Sequence, residues 1–296
     1  MTNKIYKKIK RCFSALLRCA KPIRASAASN VAYSYIDVSA WQLKIDWAQV
    51  KAAGIQGVII RAGIGDVLSY PGQVDQYFEY NYSECKRVGL PVGAYFYCYA
   101  KTAEEAQREA QGCLKLIQGK QFELPILYDV EESRTFATGK TNEIIKAFAD
   151  VLEAAGWWVG VYTYKCAADA YLTDRTKTRY TMAIAQYADK CSYKGQYAIW
   201  QNSSTTRVDG ISGNVDHDWC YQDFPTEIKA KGKNGFPAPA PKLIYKVIKD
   251  TPIVSLKGTV AKDKTVKIGG RKTVCGVQYG RIDGTPDDWI SLKADR

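Results

Sequence analysis

An apolar run ends abruptly in carboxylates at Leu124-Pro125-Ile126-Leu127-Tyr128-Asp129-Val130-Glu131-Glu132. In an extended chain side chains alternate between faces, so Asp129 and Glu131 share one face, about 7 Å apart. Two such carboxylates repel when both are ionised, which raises one pKa and leaves a proton donor beside an anion. That pairing suits glycoside hydrolysis, in which one carboxyl protonates the leaving oxygen and the other supplies negative charge near the reacting carbon. An acidic strand end taken alone is more often a solvated turn. The chemical reading therefore needs other groups converging on the same place.

The elements that would bring them together recur along the chain. From Tyr33 onward a short apolar strand, a turn and an amphipathic helix alternate, with strands predicted at 33–38, 57–62, 91–97, 125–129 and 159–162 and helices at 45–53, 74–88, 102–117 and 141–155. Gly54 and Gly89 stop two of these helices, and Thr102-Ala103-Glu104-Glu105 has the form of a capping box. Such alternation specifies a parallel sheet with helices outside. Past residue 162 the helices shrink to a short one near 167–172, and strands follow at 180–186, 197–201 and 213–216. Eight strands in one domain predict an α/β, TIM-like barrel, five β/α units and then three strands, with its functional groups at the C-terminal strand ends.

Those ends carry Asp37 after the first strand, Arg61 after the second, Asp129 and Glu131 after the fourth, and Asp216 at the eighth. Closure of the barrel sets strand eight beside strand one. It predicts Asp216 next to Asp37, facing Asp129 and Glu131 across the mouth. Tyr95, Tyr97, Tyr162, Trp200 and Gln201 fall at equivalent heights. Sugars are gripped by such a mixture, rings on aromatic faces and hydroxyls on amides and carboxylates. Each alone is more often core or rim packing; the convergence is what points to a site.

Composition bounds the rest. The 296 residues are 46% apolar, enough to bury a sizeable core. The net charge of +12 belongs to the flanks: residues 1–30 hold eight Lys/Arg and no acid, residues 226–296 fifteen Lys/Arg against seven Asp/Glu, and the middle is mildly acidic. Basic flanks seek a polyanion, and an anionic wall polymer, a membrane surface or nucleic acid would each satisfy that field. The nine cysteines form no C-x-x-C pair and the single histidine is His217, so a metal or haem site lacks ligands and no cofactor is expected. Irregular spacing suits scattered free thiols rather than a disulfide framework. No run of about 18 apolar residues is present, so no membrane span is expected. In residues 1–30 a basic stretch precedes an apolar one and Ala25-Ser26-Ala27 resembles a cleavage site, but Arg18 and Lys21 interrupt the apolar segment, which argues against a classical secretion signal.

Residues 227–242 are rich in Lys, Gly and Pro and read as a linker, and 243–296 alternates apolar and polar residues in short bursts, which predicts a small, basic, all-β module of possible SH3-like type. Other motifs carry less. Ser83-Glu84-Cys85-Lys86 has the S-x-x-K form of a serine acylase but sits on a helix without its partner motifs, and Gly63-Ile64-Gly65 has Leu68 where a nucleotide-binding loop needs its third glycine.

Taken together, the residues from about 33 to 224 resemble the glycoside hydrolase family 25 lysozymes, the N-acetylmuramidases of many phage endolysins. The resemblance rests on Tyr35-Ile36-Asp37-Val38-Ser39 with Trp41-Gln42, Val58-Ile59-Ile60-Arg61-Ala62-Gly63, Gly93-Ala94-Tyr95-Phe96-Tyr97, Leu127-Tyr128-Asp129-Val130-Glu131, Gly160-Val161-Tyr162, Ile199-Trp200-Gln201 and Val215-Asp216. It implies a flattened barrel and cleavage of the β-1,4 bond between N-acetylmuramic acid and N-acetylglucosamine. It also implies Glu131 as general acid, Asp129 as its partner, Asp37 and Asp216 completing an acidic floor, and Arg61, Tyr95, Tyr97, Tyr162, Trp200 and Gln201 as substrate contacts. The partner would be bacterial peptidoglycan with its anionic polymers rather than a specific nucleic acid. The expected agent is a monomer acting on the bacterial cell wall, reached from outside or by release from a host cytoplasm. His217 departs from the apolar residue usual at that place and, by alternation, points away from Asp216 as a packing residue. A wall-binding protein without turnover is the rival from another class, though a pure binder need not keep four acids. A chitinase-like barrel would carry an extended D-x-x-D-x-D-x-E strand, and Ile126 and Leu127 break it.

Overall fold

Eight strands close into a barrel in the order of the sequence: β1 (Tyr33–Val38), β2 (Gly57–Ile64), β3 (Val92–Tyr97), β4 (Ile126–Asp129), β5 (Val159–Tyr164), β6 (Thr181–Ala185), β7 (Ile199–Thr206) and β8 (Val215–Cys220). This computed structural model describes residues 32–238 and, further on, residues 243–246, 251–252, 259–260, 265–274, 277–282 and 289–291; the basic leader expected at 1–30 lies outside the described residues. The chain divides into two compact units, the first ending at Ala238 and the second beginning at Pro239.

Between the strands run α1 (Trp47–Ala52), α2 (Phe78–Val88), α3 (Ala103–Ile117), α4 (Ser133–Phe136), α5 (Thr141–Ala154), α6 (Lys165–Tyr171) and α7 (Asp174–Arg179), with α8 (Phe224–Ala230) after the last strand. Strands β1 to β7 are parallel, each to the next. β8 is antiparallel to both β7 and β1, which departs from the parallel sheet that the alternation predicts. The reason lies in the connection: residues 207–214 are too few for the crossover a parallel neighbour requires. β8 also runs four residues past the end expected at 216, because Asp216 and Asp218 sit at interior positions and hide the apolar alternation by which a strand is recognised.

Side-chain alternation sorts the strands into two cores. One face packs on the helices, with Ile36, Val38, Val58, Ile60, Ala94, Phe96, Ile126, Tyr128, Val161 and Ile184 against Trp47, Val50, Phe78, Cys113, Ile144, Phe148 and Leu152. Tyr128 and Phe148 stack at 3.8 Å between ring centroids. The opposite face fills the barrel with Tyr35, Ile59, Leu127, Ala183, Ile199 and Cys220, and Phe224 and Ile228 of α8 join Leu124 in this interior core. Gly160 must be small there: a Cβ would lie 2.6 Å from Leu127 Cδ2 and 2.9 Å from the Thr181 carbonyl oxygen.

Local signals explain the helix ends. Thr102 caps α3 by accepting from the Glu105 amide at 3.2 Å, but the reciprocal half of the capping box is displaced by one residue, since Glu105 Oε2 accepts from the Lys101 amide. Residues 227–238, read from the sequence as the start of a linker, pack on the barrel. Asn234 is fully buried in a left-handed conformation (φ 55°); its side chain accepts from the Trp158 amide at 2.6 Å and donates to the Leu124 carbonyl at 2.8 Å.

In the second unit, β9 (Leu243–Lys246), β12 (Thr265–Val274), β13 (Val277–Ile282) and β14 (Trp289–Ser291) form an antiparallel sheet in the order β14-β13-β12-β9, and β10 (Thr251–Pro252) pairs with β11 (Thr259–Val260). Among the described residues no helix is long and apolar enough to cross a membrane, Cys85, Cys98, Cys113 and Cys220 are buried free thiols, and Cys166 is exposed.

Candidate active site

The interior positions change character along each strand, apolar in the middle of the barrel and polar at the C-terminal ends. On β1 Tyr35 gives way to Asp37, on β2 Ile59 to Arg61, on β4 Leu127 to Asp129, and on β7 Ile199 to Gln201. A cavity of about 360 Å³ opens there, lined by Asp37, Arg61, Tyr95, Tyr97, Asp129, Glu131, Tyr162, Gln201, Asp216 and Asp218, with Trp41 and Tyr187 at its rim. Asp37 and Asp216 are directly opposed across the β1–β8 ladder. Glu131 lies two residues beyond Asp129, past the end of β4.

A polar chain fixes the wall opposite Glu131. Gln201 Nε2 donates to Asp37 Oδ2 at 2.7 Å, and Gln201 Oε1 accepts from the hydroxyls of Tyr162 at 2.9 Å and Tyr187 at 3.0 Å. On the other wall the Tyr97 hydroxyl donates to Glu132 Oε1 at 3.0 Å, and Arg134 pairs with the second Glu132 oxygen at 2.9 Å.

Gathering carboxyls out of water raises their pKa values. Burial is the largest cause for Asp37, pushed up to about 7 with help from the Asp216 charge, and for Asp216, pushed up to about 6 with Glu131 contributing. Asp129 lies well above the usual carboxylate range through burial and then the charges of Glu131 and Asp37, against the pull of Arg61. Glu131, half-buried, is raised by burial and by Glu132, while the Tyr97 hydroxyl acts in the opposite sense. The acids titrate as a coupled set, so near neutral pH protons are shared among them and both a donor and an anion are present.

Residues 36–211 match the profile described as Glycosyl hydrolases family 25. The chain belongs to that family. Family 25 membership makes it a glycoside hydrolase, and the matched span holds Asp37, Asp129 and Glu131 but ends before Asp216. Among curated proteins it is 30% identical over 184 residues to an autolytic lysozyme of Clostridium acetobutylicum, covering 62% of this chain and 54% of that one. It is 27% identical over 207 residues to the uncharacterized protein YegX of Escherichia coli O157:H7, covering 66% and 73%. Among solved structures it superposes with a TM-score of 0.57 and 28% identity on the modular autolysin LytC of Streptococcus pneumoniae, over 64% of this chain and 47% of that one, an autolysin also solved with a synthetic peptidoglycan ligand. The chain thus spans about half the length of the clostridial and pneumococcal proteins.

Two expected members of this family 25 site sit differently from the sequence reading. Trp200 does not line the acidic cavity; it alternates with Gln201, so its indole faces outward, donates to the Gln186 carbonyl at 2.8 Å and borders a second cleft. Arg61 does line the cavity, but its Nε is committed to Asp75 Oδ2 at 2.8 Å. His217 faces away from Asp216, yet it is held by polar contacts, Nε2 with Ser34 Oγ at 2.9 Å and Nδ1 with Asn202 Oδ1 at 2.7 Å.

The cavity also holds an acid that sequence reasoning missed. Asp218 is 2% exposed, opposes Tyr35 and Gln201 in the ladders, and leaves Oδ2 buried without a protein partner. The D-x-D spacing of Asp216 and Asp218 was its signal, had the strand been extended past 216. Burial and then the Asp37 charge hold its carboxyl well above the ordinary value. The fold thus favours its neutral form. Stability from such a group is full below the unfolded pKa of about 4 and is lost as pH rises through the folded value. Asp218→Asn, which replaces a penalised acid with a neutral donor toward Asp37, is therefore expected to be more stable than the parent by roughly 1–3 kcal/mol at pH 8, with the gain vanishing near pH 4. Thermal unfolding of both proteins from pH 4 to 8 measures this, and a difference independent of pH would contradict it.

Proposed function

We propose that the family 25 barrel is a peptidoglycan hydrolase that cleaves the β-1,4 bond between N-acetylmuramic acid and N-acetylglucosamine. The observation that carries this reading is the gathering of Asp37, Asp129, Glu131 and Asp216 in one cavity with aromatic walls and rim. Glu131 is the general acid: it is the half-buried carboxyl whose raised pKa keeps it protonated long enough to donate to the leaving oxygen. Asp129 is its partner, and its buried Oδ1, without a protein partner, is suited to accept from a sugar acetamido N–H or to supply charge to an oxocarbenium-like centre. Asp37 and Asp216 form the acidic floor, held by Gln201 on one side. Tyr95, Tyr97 and Tyr162 offer faces and hydroxyls to the sugar, and Arg61 shapes the cavity through Asp75. The lysozyme and autolysin relatives, one of them solved with a synthetic peptidoglycan ligand, support the substrate class.

Digestion of defined peptidoglycan followed by mass spectrometry of the new reducing ends tests the proposal. Muramic acid at those ends is expected; glucosamine ends, or released peptides without glycan cleavage, would refute it.

The chain works as a monomer on the wall, in this reading, and its second unit, of SH3-like type, anchors it there. The tail's fifteen Lys/Arg against seven acids from residue 226 onward suit anionic wall polymers. Tethering raises local substrate concentration without altering the chemistry. Removing residues 242–296 is expected to weaken adsorption to purified walls by about tenfold or more at low salt and to flatten its salt dependence. Co-sedimentation across a salt series measures this, and unchanged adsorption would remove the anchoring role.

A further inference from the structure

On the outer side of β7 and β8 the chain leaves an open sheet face, because residues 207–214 join these strands without a helix. Trp200 and Trp219 stand directly opposite each other in the β7–β8 ladder, turned outward by alternation with the inward-facing Gln201 and Asp218. They border a cleft of about 600 Å³ completed by Tyr187, Asp189, Asn202 and Ser203 and continued by Ser204 and Thr205. That volume lies in the range of small-molecule sites.

Three independent features make this a built site rather than a surface dip. The ladder breaks register twice at these residues, between Gln201 and Ser203 and between Ser203 and Thr206, which re-aims polar side chains as bulges near functional sites do. The indoles are held: Trp200 Nε1 donates to the Gln186 carbonyl, and the His217 ring meets Trp219 edge-on at 4.8 Å. And the cleft meets the acidic cavity at Tyr187, 59% exposed, which lines both and whose hydroxyl joins the Gln201–Asp37 chain.

We propose that this cleft binds a neutral N-acetylhexosamine unit of the same glycan strand, beyond the pair of sugars whose bond is cut. The inference rests on the peptidoglycan reading of the acidic cavity. The Trp219 indole, backed by the buried Trp200, and the Tyr187 phenol offer faces to sugar rings, and the Asn202 amide and the serine and threonine hydroxyls offer partners to sugar oxygens. The one charged lining residue is Asp189, and no Lys or Arg is among the lining residues. A muramic acid unit is disfavoured there, because its lactyl group carries either the bulky amide-linked stem peptide or, on an unbranched strand, a free carboxylate near Asp189, whereas N-acetylglucosamine carries neither. In a strand of alternating sugars, selecting the neutral unit at one point sets the register, and with it the bond presented to Glu131.

The test uses the full chain. Trp219→Ala is expected to raise KM on long, unbranched glycan strands about tenfold with kcat unchanged, the loss of one stacking contact. Its kinetics on a wall disaccharide, which spans only the cut bond and is too short to reach the cleft, should equal those of the parent. Trp219→Phe should recover most of the long-strand KM, and Ser204→Trp, which crowds the cleft without touching its core, should reproduce the loss should Trp219→Ala fail to fold. Parent-like KM on long strands for both Trp219→Ala and Ser204→Trp would overturn the proposal. Calorimetric titration of the Glu131→Gln protein with neutral triacetylchitotriose gives a second readout that needs no turnover, and Trp219→Ala should weaken that binding. If the parent cuts neither substrate, the hydrolase reading fails while the titration still reports on the cleft.

Discussion

Glu131→Gln is expected to stop hydrolysis of bacterial walls, lowering the rate roughly 10²–10⁴-fold while wall binding is retained. The amide is nearly isosteric and keeps the polar contacts at the cavity mouth, but it carries no acidic proton. The leaving oxygen would then depart as an alkoxide, which is the step a general acid exists to avoid. Asp129 cannot take over. It is 6% exposed and lies deeper in the barrel, at the end of β4 and below the mouth where the leaving oxygen sits. The effect should fall on kcat rather than KM, because the missing interaction belongs to the transition state. Removing one charge from the coupled set should also ease ionisation of the remaining acids, since Glu131 raises both Asp129 and Asp216. The residual activity of the variant should therefore show its acidic limb shifted to lower pH. Turbidity clearance of purified walls, with fluorescent-wall adsorption in parallel, gives both numbers; clearance within a few fold of the parent would remove Glu131 from the chemistry.

How much of this is legible in the sequence depends on which physical rule each residue obeys. Asp37 and Asp216 are remote in sequence and adjacent in space because a closed barrel must join its last strand to its first, so ring closure alone predicts the pair. The strand–helix alternation through β5 follows directly from period-2 and period-3.6 patterning. Trp200 fails for a simple reason of parity: two neighbouring strand residues cannot face the same side, and Gln201 takes the interior place. Asp218 escapes because a strand whose interior positions are acids does not look amphipathic. Asp75 leaves no trace in any pattern. It is a loop residue that matters only because Arg61, carried inward by β2, must find a countercharge once it leaves water.

That last contact predicts the largest change in stability. Asp75 has a side chain with no solvent exposure and ties three segments together: Oδ2 accepts from Arg61 Nε and from the Ala40 amide, both at 2.8 Å, and Oδ1 accepts from the Tyr77 amide at 2.9 Å. It thereby joins β2, the loop after β1 and the approach to α2. Arg61→Met keeps the apolar stem but leaves a buried carboxylate with two amide donors and no cation, which is expected to cost about 3–5 kcal/mol. Arg61→Met with Asp75→Asn should recover much of the loss, because the second substitution removes the uncompensated charge. The loop that Asp75 holds also carries Trp41, 82% exposed at the cavity rim, so the single variant should lose activity through a disordered rim even under conditions where it stays folded. Were Arg61 chiefly a substrate contact, the outcome would differ: KM would rise, stability would change by less than about 1 kcal/mol, and the second substitution would rescue nothing. Urea unfolding of the two single variants and the double variant separates these outcomes.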